Sequence, residues 1–196
     1  MTGAPDLAAL RDDAAGCTRC HLFEDATQTV FGEGPVDADL MLVGEQPGDQ
    51  EDRQGAPFVG PAGGMLDDAL RDAGIARGRT YVTNVVKHFK FTRCGKRRIH
   101  DKPNREEVEA CMPWLEGEIA AVDPDVVVLM GATAAQALLG SSFRVTKQRG
   151  EVFERDRYRL TATVHPSSIL RAPRDRRQAA YDDFVADLAG IGTILG

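Results

Sequence analysis

Four short apolar runs divide the chain, and helical patterns fill the spaces between them. Residues 40–43, 81–86, 126–130 and 159–164 have the length and β-branched content of buried strands. Residues 151–154 read as a further strand, joined to the last of these by a hairpin through residues 155–157. Helices are expected over 63–73, 105–122, 132–139 and 174–188. The clearest is 105–122, where Val108, Cys111, Met112, Leu115, Ile119 and Val122 recur at three- and four-residue steps. Asn104 offers an N-cap and Glu107 the reciprocal capping-box carboxylate. Strands alternating with helices predict a doubly wound α/β fold. The expectation is a three-layer α/β/α sandwich around a mainly parallel, four-stranded sheet, with 1–196 as one domain. In such folds the chemistry lies beyond the carboxyl ends of the strands. Those ends carry Glu45 and Gln46, then Asn84, then His165.

Composition adds little: 42% hydrophobic and 28% charged residues in 196 are ordinary for a globular protein. No apolar run reaches the ~20 residues a membrane span needs. The first fifteen residues mix acids with alanines, unlike a secretory signal, so a cytoplasmic location is expected. Charge changes the picture more. The net charge is −6, yet residues 85–105 hold eight lysines and arginines against Asp101 alone. A local +7 on an otherwise acidic chain is the footprint of a polyanion-binding face, or else a solvated charged loop.

Four cysteines are present: Cys17, Cys20, Cys94 and Cys111. Cys17-Thr18-Arg19-Cys20 is a C-x-x-C pair in a polar segment, away from any strand-to-helix junction. That context favours a metal or iron–sulfur site closed by distant residues over a redox dithiol.

Two loops carry candidate chemistry. Gly44-Glu45-Gln46-Pro47-Gly48 follows the first strand and continues to Pro57-Phe58-Val59-Gly60-Pro61-Ala62-Gly63 at a helix start. His165-Pro166-Ser167-Ser168-Ile169-Leu170-Arg171 follows the last strand. Ser167 and Arg171 suit phosphate, and Ile169 and Leu170 suit wedging into a base stack.

Together with Thr83-Asn84, these motifs resemble the uracil-DNA glycosylase superfamily, and most closely its family 4, whose members hold a 4Fe-4S cluster. The resemblance runs from Cys17 to Arg171. Family 4 members usually carry a Lys-Cys-Arg-Pro-Pro type of sequence after the Thr-Asn strand. Here Lys87-His88-Phe89-Lys90-Phe91 is followed by an insertion, Cys94-Gly95-Lys96-Arg97-Arg98-Ile99-His100. That insertion, with Gln46 where family 4 commonly has Ala, resembles the UdgX-type branch, which becomes covalently joined to uracil-DNA through the histidine matching His100.

The resemblance implies uracil-containing DNA as partner; single-stranded DNA is the expected preference and a monomer the expected state. Gly44, Gln46, Phe58 and Asn84 would form the uracil pocket, Phe58 stacking on the base and Asn84 reading its N3–H and O4 edge. His165 would donate towards O2, and Glu45 would stand beside the reacting sugar. Lys96, Arg97, Arg98, Ser167 and Arg171 would face DNA. His100 would attack C1′ and remain attached; the alternative is ordinary turnover with water. Cys17, Cys20 and Cys111 match three cluster ligands, with His88 in the place of the fourth and Cys94 as its competitor; zinc would take the same ligands. Two readings from other classes remain: a metal-stabilised nucleic-acid-binding module without bond cleavage, and a small-nucleotide hydrolase holding phosphate at the Gly63-Gly64 helix start.

Overall fold

The computed structural model describes residues 5–195, so Met1 to Ala4 and Gly196 of the expected 1–196 domain lie outside it. In chain order the elements are α1 (Leu7–Ala15), α2 (Leu22–Asp25), β1 (Leu40–Gly44), α3 (Asp49–Gln54), α4 (Pro61–Asp72), β2 (Thr80–Asn84), β3 (Phe91–Cys94) and β4 (Arg97–His100). They continue with α5 (Arg105–Val122), β5 (Val126–Met130), α6 (Ala132–Leu139), α7 (Val145–Gln148), β6 (Val152–Glu154), β7 (Arg159–Thr163), α8 (Pro166–Leu170) and α9 (Arg174–Leu195).

The main sheet has the order β2-β1-β5-β7-β6. Its first four strands are parallel, and β6 joins β7 antiparallel at the edge. The sheet therefore has five strands, the fifth being the hairpin partner the sequence anticipated. Every residue of β1, β2 and β5 is buried, as expected of strands covered on both faces. Along β1 the side chains alternate between two cores. Met41 and Val43 join Cys111, Leu115, Ile119 and Ala134 from α5 and α6. Leu40 and Leu42 join Leu66, Leu70, Ile169, Phe184 and Leu188 from α4, α8 and α9. The result is the three-layer sandwich. Among the described residues no helix is long and apolar enough to cross a membrane.

Helix α5 spans the residues its periodicity predicts and opens on the expected capping box. Asn104 accepts from the Glu107 amide at 2.9 Å, and Glu107 accepts from the Asn104 amide at 2.6 Å. Strand β1 lies between β2, which follows it in sequence, and β5. The chain passes from β1 out to β2 on one side and then returns past β1 to β5 on the other, so the crevice at the carboxyl ends of β1 and β5 is the topological switch point.

Three sequence expectations are corrected. The insertion is no loop: β3 and β4 pair antiparallel, Phe91 opposite His100 and Cys94 opposite Arg97, turning at Gly95 with φ +59°. Residues 49–54, read as part of a loop, form α3. Ile169, expected as a wedge, is buried in the core beneath α8, which leaves only Leu170 half-buried at that tip.

Candidate active site

The floor of the cleft is set by register. Gly44 ends β1 directly beside Asn84, the last residue of β2. A Cβ at position 44 would collide with the Asn84 side-chain oxygen and stand 2.8 Å from Phe58 Cζ. Glycine there is the condition for the Asn84 amide and the Phe58 ring to converge. Asn84 is nearly inaccessible, and among the described residues its side-chain amide has no hydrogen-bond partner.

Phe58 reaches this position through an unfavourable backbone. Its φ is +56°, a region costing an L-residue of its kind on the order of 1–2 kcal/mol. The surrounding loop enforces it. Glu51 accepts from the Gly60 amide at 2.7 Å and from the Gly48 amide at 3.1 Å, tying the two glycine-rich loops together. Gly63 sits against the Phe58 carbonyl, where any Cβ would clash. Strain concentrated on one aromatic in a cleft is a mark of a functional position.

His165 faces Phe58, with ring centroids 6.1 Å apart and planes at 27°. Burial, followed by the charges of Arg171 and His100, pushes its pKa down to about 4, so the ring is neutral near pH 7. The Ser167 amide donates to its Nδ1 at 3.2 Å as the cap of α8. An acceptor nitrogen carries no proton, so in the neutral ring the proton is on Nε2. His165 is thereby held as an Nε2–H donor.

The hairpin brings His100 to the mouth of the cleft. Its Nε2 lies 3.3 Å from Glu45 Oε1, and its side chain is about half exposed. The second Glu45 oxygen accepts from the Thr133 hydroxyl, at the start of α6. Gln46, expected to line the pocket, serves instead as a clamp on the hairpin base. Its amide accepts from the Lys90 backbone at 3.1 Å and donates to the Lys90 and Asp101 carbonyls at 3.2 and 3.0 Å.

Arg98 also departs from expectation. Rather than facing DNA, its guanidinium turns inward, 2.5 Å from both Asp49 and Asp52, and lies over the rings of Phe89 and Phe91. Lys87 is buried on Glu118, Lys90 bonds Glu107 and Arg105 bonds Glu109. Four of the eight cations in this segment are therefore partnered by carboxylates from outside it. Arg93, Lys96, Arg97 and Lys102 remain exposed without a salt bridge among the described residues. Arg171 is exposed, and Ser167 is half-buried with its hydroxyl 2.9 Å from His165 Nδ1.

The model of the uracil DNA glycosylase superfamily matches residues 31–189. The chain belongs to the uracil-DNA glycosylase superfamily. It is similar to the type-4 uracil-DNA glycosylase of Pyrobaculum aerophilum, 36% identical over 94% of this chain and 92% of that one. The type-4 uracil-DNA glycosylase of Thermotoga maritima is 40% identical over 79% of this chain and 78% of its own. That of Archaeoglobus fulgidus is 33% identical over 92% and 88%.

Of the expected cluster ligands, Cys17 and Cys20 lie between α1 and α2, and Cys111 lies on α5. Cys17, Cys20 and Cys111 are near enough for their thiols to act on one another. Trp114 Nε1 donates to Cys17 Sγ at 3.2 Å. Burial pushes the Cys111 thiol up to about 11 and raises Cys20 as well. The Lys87 backbone bonds the Cys111 sulfur. His88 is buried, with Nε2 3.0 Å from Thr29 Oγ1 and Nδ1 without a partner. Burial also lowers its pKa, against the pull of Asp52. Cys94 is exposed beside the turn of the hairpin. Among the described residues no three metal-binding side chains already stand in ligating geometry. Three thiols are the donors a thiol-rich cluster takes, and His88 Nδ1 is a buried nitrogen without a partner.

Glu118, Glu51, Thr133, Asp49 and Asp52 were not among the expected site residues. Glu118 is fully buried and gathers Gly32, Tyr81, Thr83 and Lys87 around one carboxylate. Lys87 also bonds the Asn84 carbonyl at 2.6 Å. Glu118 was legible in one respect: it is a charged residue on the apolar face of an amphipathic helix.

Proposed function

We propose that this chain excises uracil from DNA by breaking the N1–C1′ bond of a deoxyuridine turned out of the base stack. The convergence of an unpartnered Asn84 amide, a Phe58 ring held by a strained backbone and a neutral Nε2–H on His165 carries this reading. Uracil offers a flat face to Phe58, and its N3–H and O4 match the acceptor and donor of one amide. Cytosine reverses that pattern and would leave buried groups unpaired. As the bond breaks, its electron pair leaves with uracil and charge collects on O2. A donor fixed there before reaction stabilises the transition state without reorganisation.

Glu45 stands where the sugar reacts. In ordinary turnover a water attacks C1′, its proton passes to Glu45, and an abasic site remains. The names of the type-4 relatives support this reading. A second reading rests on the 3.3 Å approach of His100 to Glu45 and on the resemblance of the Lys96–His100 run to the UdgX-type branch. From the imidazolium, Glu45 takes the Nε2 proton and the ring keeps Nδ1–H. The freed Nε2 pair bonds C1′ as uracil departs with the N1–C1′ electrons. Loss of the Nδ1 proton to solvent then leaves a stable alkylated imidazole. Attack from a tethered group outcompetes water by proximity.

Arg93, Lys96, Arg97, Lys102, Ser167 and Arg171 hold phosphates in either case, and single-stranded DNA is favoured because no pairing opposes flipping. Cys17, Cys20, Cys111 and His88 would hold a 4Fe-4S cluster, which would supply a structural brace for the N-terminal segment. The test is incubation with a single-stranded uracil oligonucleotide, followed by a uracil assay and a denaturing gel. Free uracil in excess of protein supports turnover. One uracil per protein with an SDS- and heat-stable band supports trapping, provided His100→Ala abolishes that band. No uracil release overturns both.

A further inference from the structure

Glu45 is the last link between the sheet and the reacting sugar, yet nothing on its own strand fixes its carboxylate. It follows β1 directly, and a carboxylate on three rotatable bonds at a cleft mouth samples several orientations. The constraint comes from across the switch point. Thr133, nearly buried in the first turn of α6, donates its hydroxyl to Glu45 Oε2. Helix α6 follows β5, the strand beside β1, so this bond bridges the crevice between the two strand ends. With Oε2 engaged, Oε1 is the oxygen presented to His100 Nε2 at 3.3 Å.

We infer that Thr133 is a positioning residue: it fixes which Glu45 oxygen faces the reacting sugar and holds the carboxylate at the distance proton transfer needs. The inference rests on the role given to Glu45 above and holds for a water or a His100 nucleophile alike. Thr133 touches neither base nor sugar in this scheme. Its hydroxyl works through Glu45, and a β-branched residue at this site restricts the hydroxyl to few orientations. Valine has the same shape without the donor, whereas serine keeps the donor.

The experiment is a double-mutant cycle on single-turnover uracil release. Thr133→Val, Thr133→Ser, Glu45→Gln and the Thr133→Val/Glu45→Gln pair are compared with the unaltered protein. Uracil-oligonucleotide affinity and Tm are measured alongside. Thr133→Val is expected to slow release at least tenfold with affinity and Tm little changed, and Thr133→Ser to recover most of the rate. The double variant should be no slower than Glu45→Gln alone, because the hydroxyl acts only through that carboxylate. A Thr133→Val rate equal to that of the unaltered protein, with Glu45→Gln slow, overturns the positioning role and leaves the reading of the site standing. Additive losses in the double variant, or a Thr133→Ser variant as slow as Thr133→Val, also overturn it. Full activity of Glu45→Gln overturns the role of Glu45 and the inference together.

Discussion

Arg98 Nη1 lies 2.5 Å from Asp52 Oδ2, and neither side chain has more than 8% of its surface open to water. The pair joins the hairpin to α3, and Asp52 in turn accepts from the Thr27 backbone at 2.9 Å. One carboxylate thereby pins the hairpin that carries His100 to both α3 and the N-terminal segment. Removing one partner of a buried pair strands the other, at about 3–5 kcal/mol. Arg98→Ala is expected to lower stability by about that amount in chemical denaturation.

Arg97 provides the contrast. It is exposed on the same strand and has no salt bridge among the described residues. Arg97→Ala should leave Tm unchanged, weaken DNA binding across sequences and reduce the salt slope of log K by about one. A salt slope that falls for Arg98→Ala instead would reverse the assignment of the two arginines.

Much of the sheet was legible because burial on both faces leaves uninterrupted apolar runs, as in Val126–Met130. The hairpin was not. Its strands Phe91–Cys94 and Arg97–His100 show no alternation of apolar and polar residues, and its inward side is made by a buried arginine. Helix α3, Asp49–Gln54, contains no apolar residue at all. It is held by polar bonds, which leave no periodic trace. Asn84 and His165 were legible as polar residues at strand ends. The clamping role of Gln46 was not, since its partners are backbone groups more than forty residues away.

The glycine at position 44 yields a sharp expectation. Gly44→Ala puts a methyl group between Asn84 and Phe58. Overpacking of this kind costs about 1–3 kcal/mol of stability. The larger effect should be on uracil, whose space the methyl group shares. Loss of uracil release, with DNA affinity measured on a uracil-free oligonucleotide retained, would show that the pocket and the phosphate-binding surface are separable.

Histidine 165 should report its environment through pH. Its folded pKa, about 4, lies below the ordinary 6.5. Between these values the unfolded chain binds the proton and the folded one does not, so stability falls as pH drops from 6.5 towards 4. At about 1.4 kcal/mol per unit the loss from this ring approaches 3 kcal/mol. His165→Asn keeps an N-cap for α8 but does not titrate. Denaturation of both proteins at pH 7 and pH 4.5 should show a smaller drop for the variant. Ring 15N shifts should report an Nε2–H tautomer down to about pH 5; an Nδ1–H tautomer would contradict the donor role.

Asn84→Asp replaces the amide donor with a second acceptor oxygen. Repulsion against uracil O4 and the lost hydrogen bond, at roughly 1–3 kcal/mol, predict about a ten- to hundredfold drop in single-turnover uracil release.

The most direct measurement is release of free uracil from an oligonucleotide containing one deoxyuridine, set against the same oligonucleotide with thymidine. Uracil liberated at one equivalent of protein or more, with no thymine from the control and a large loss in Asn84→Ala, is the expected result. An intact N1–C1′ bond after incubation with folded protein would contradict the proposal that this cleft cuts uracil from DNA.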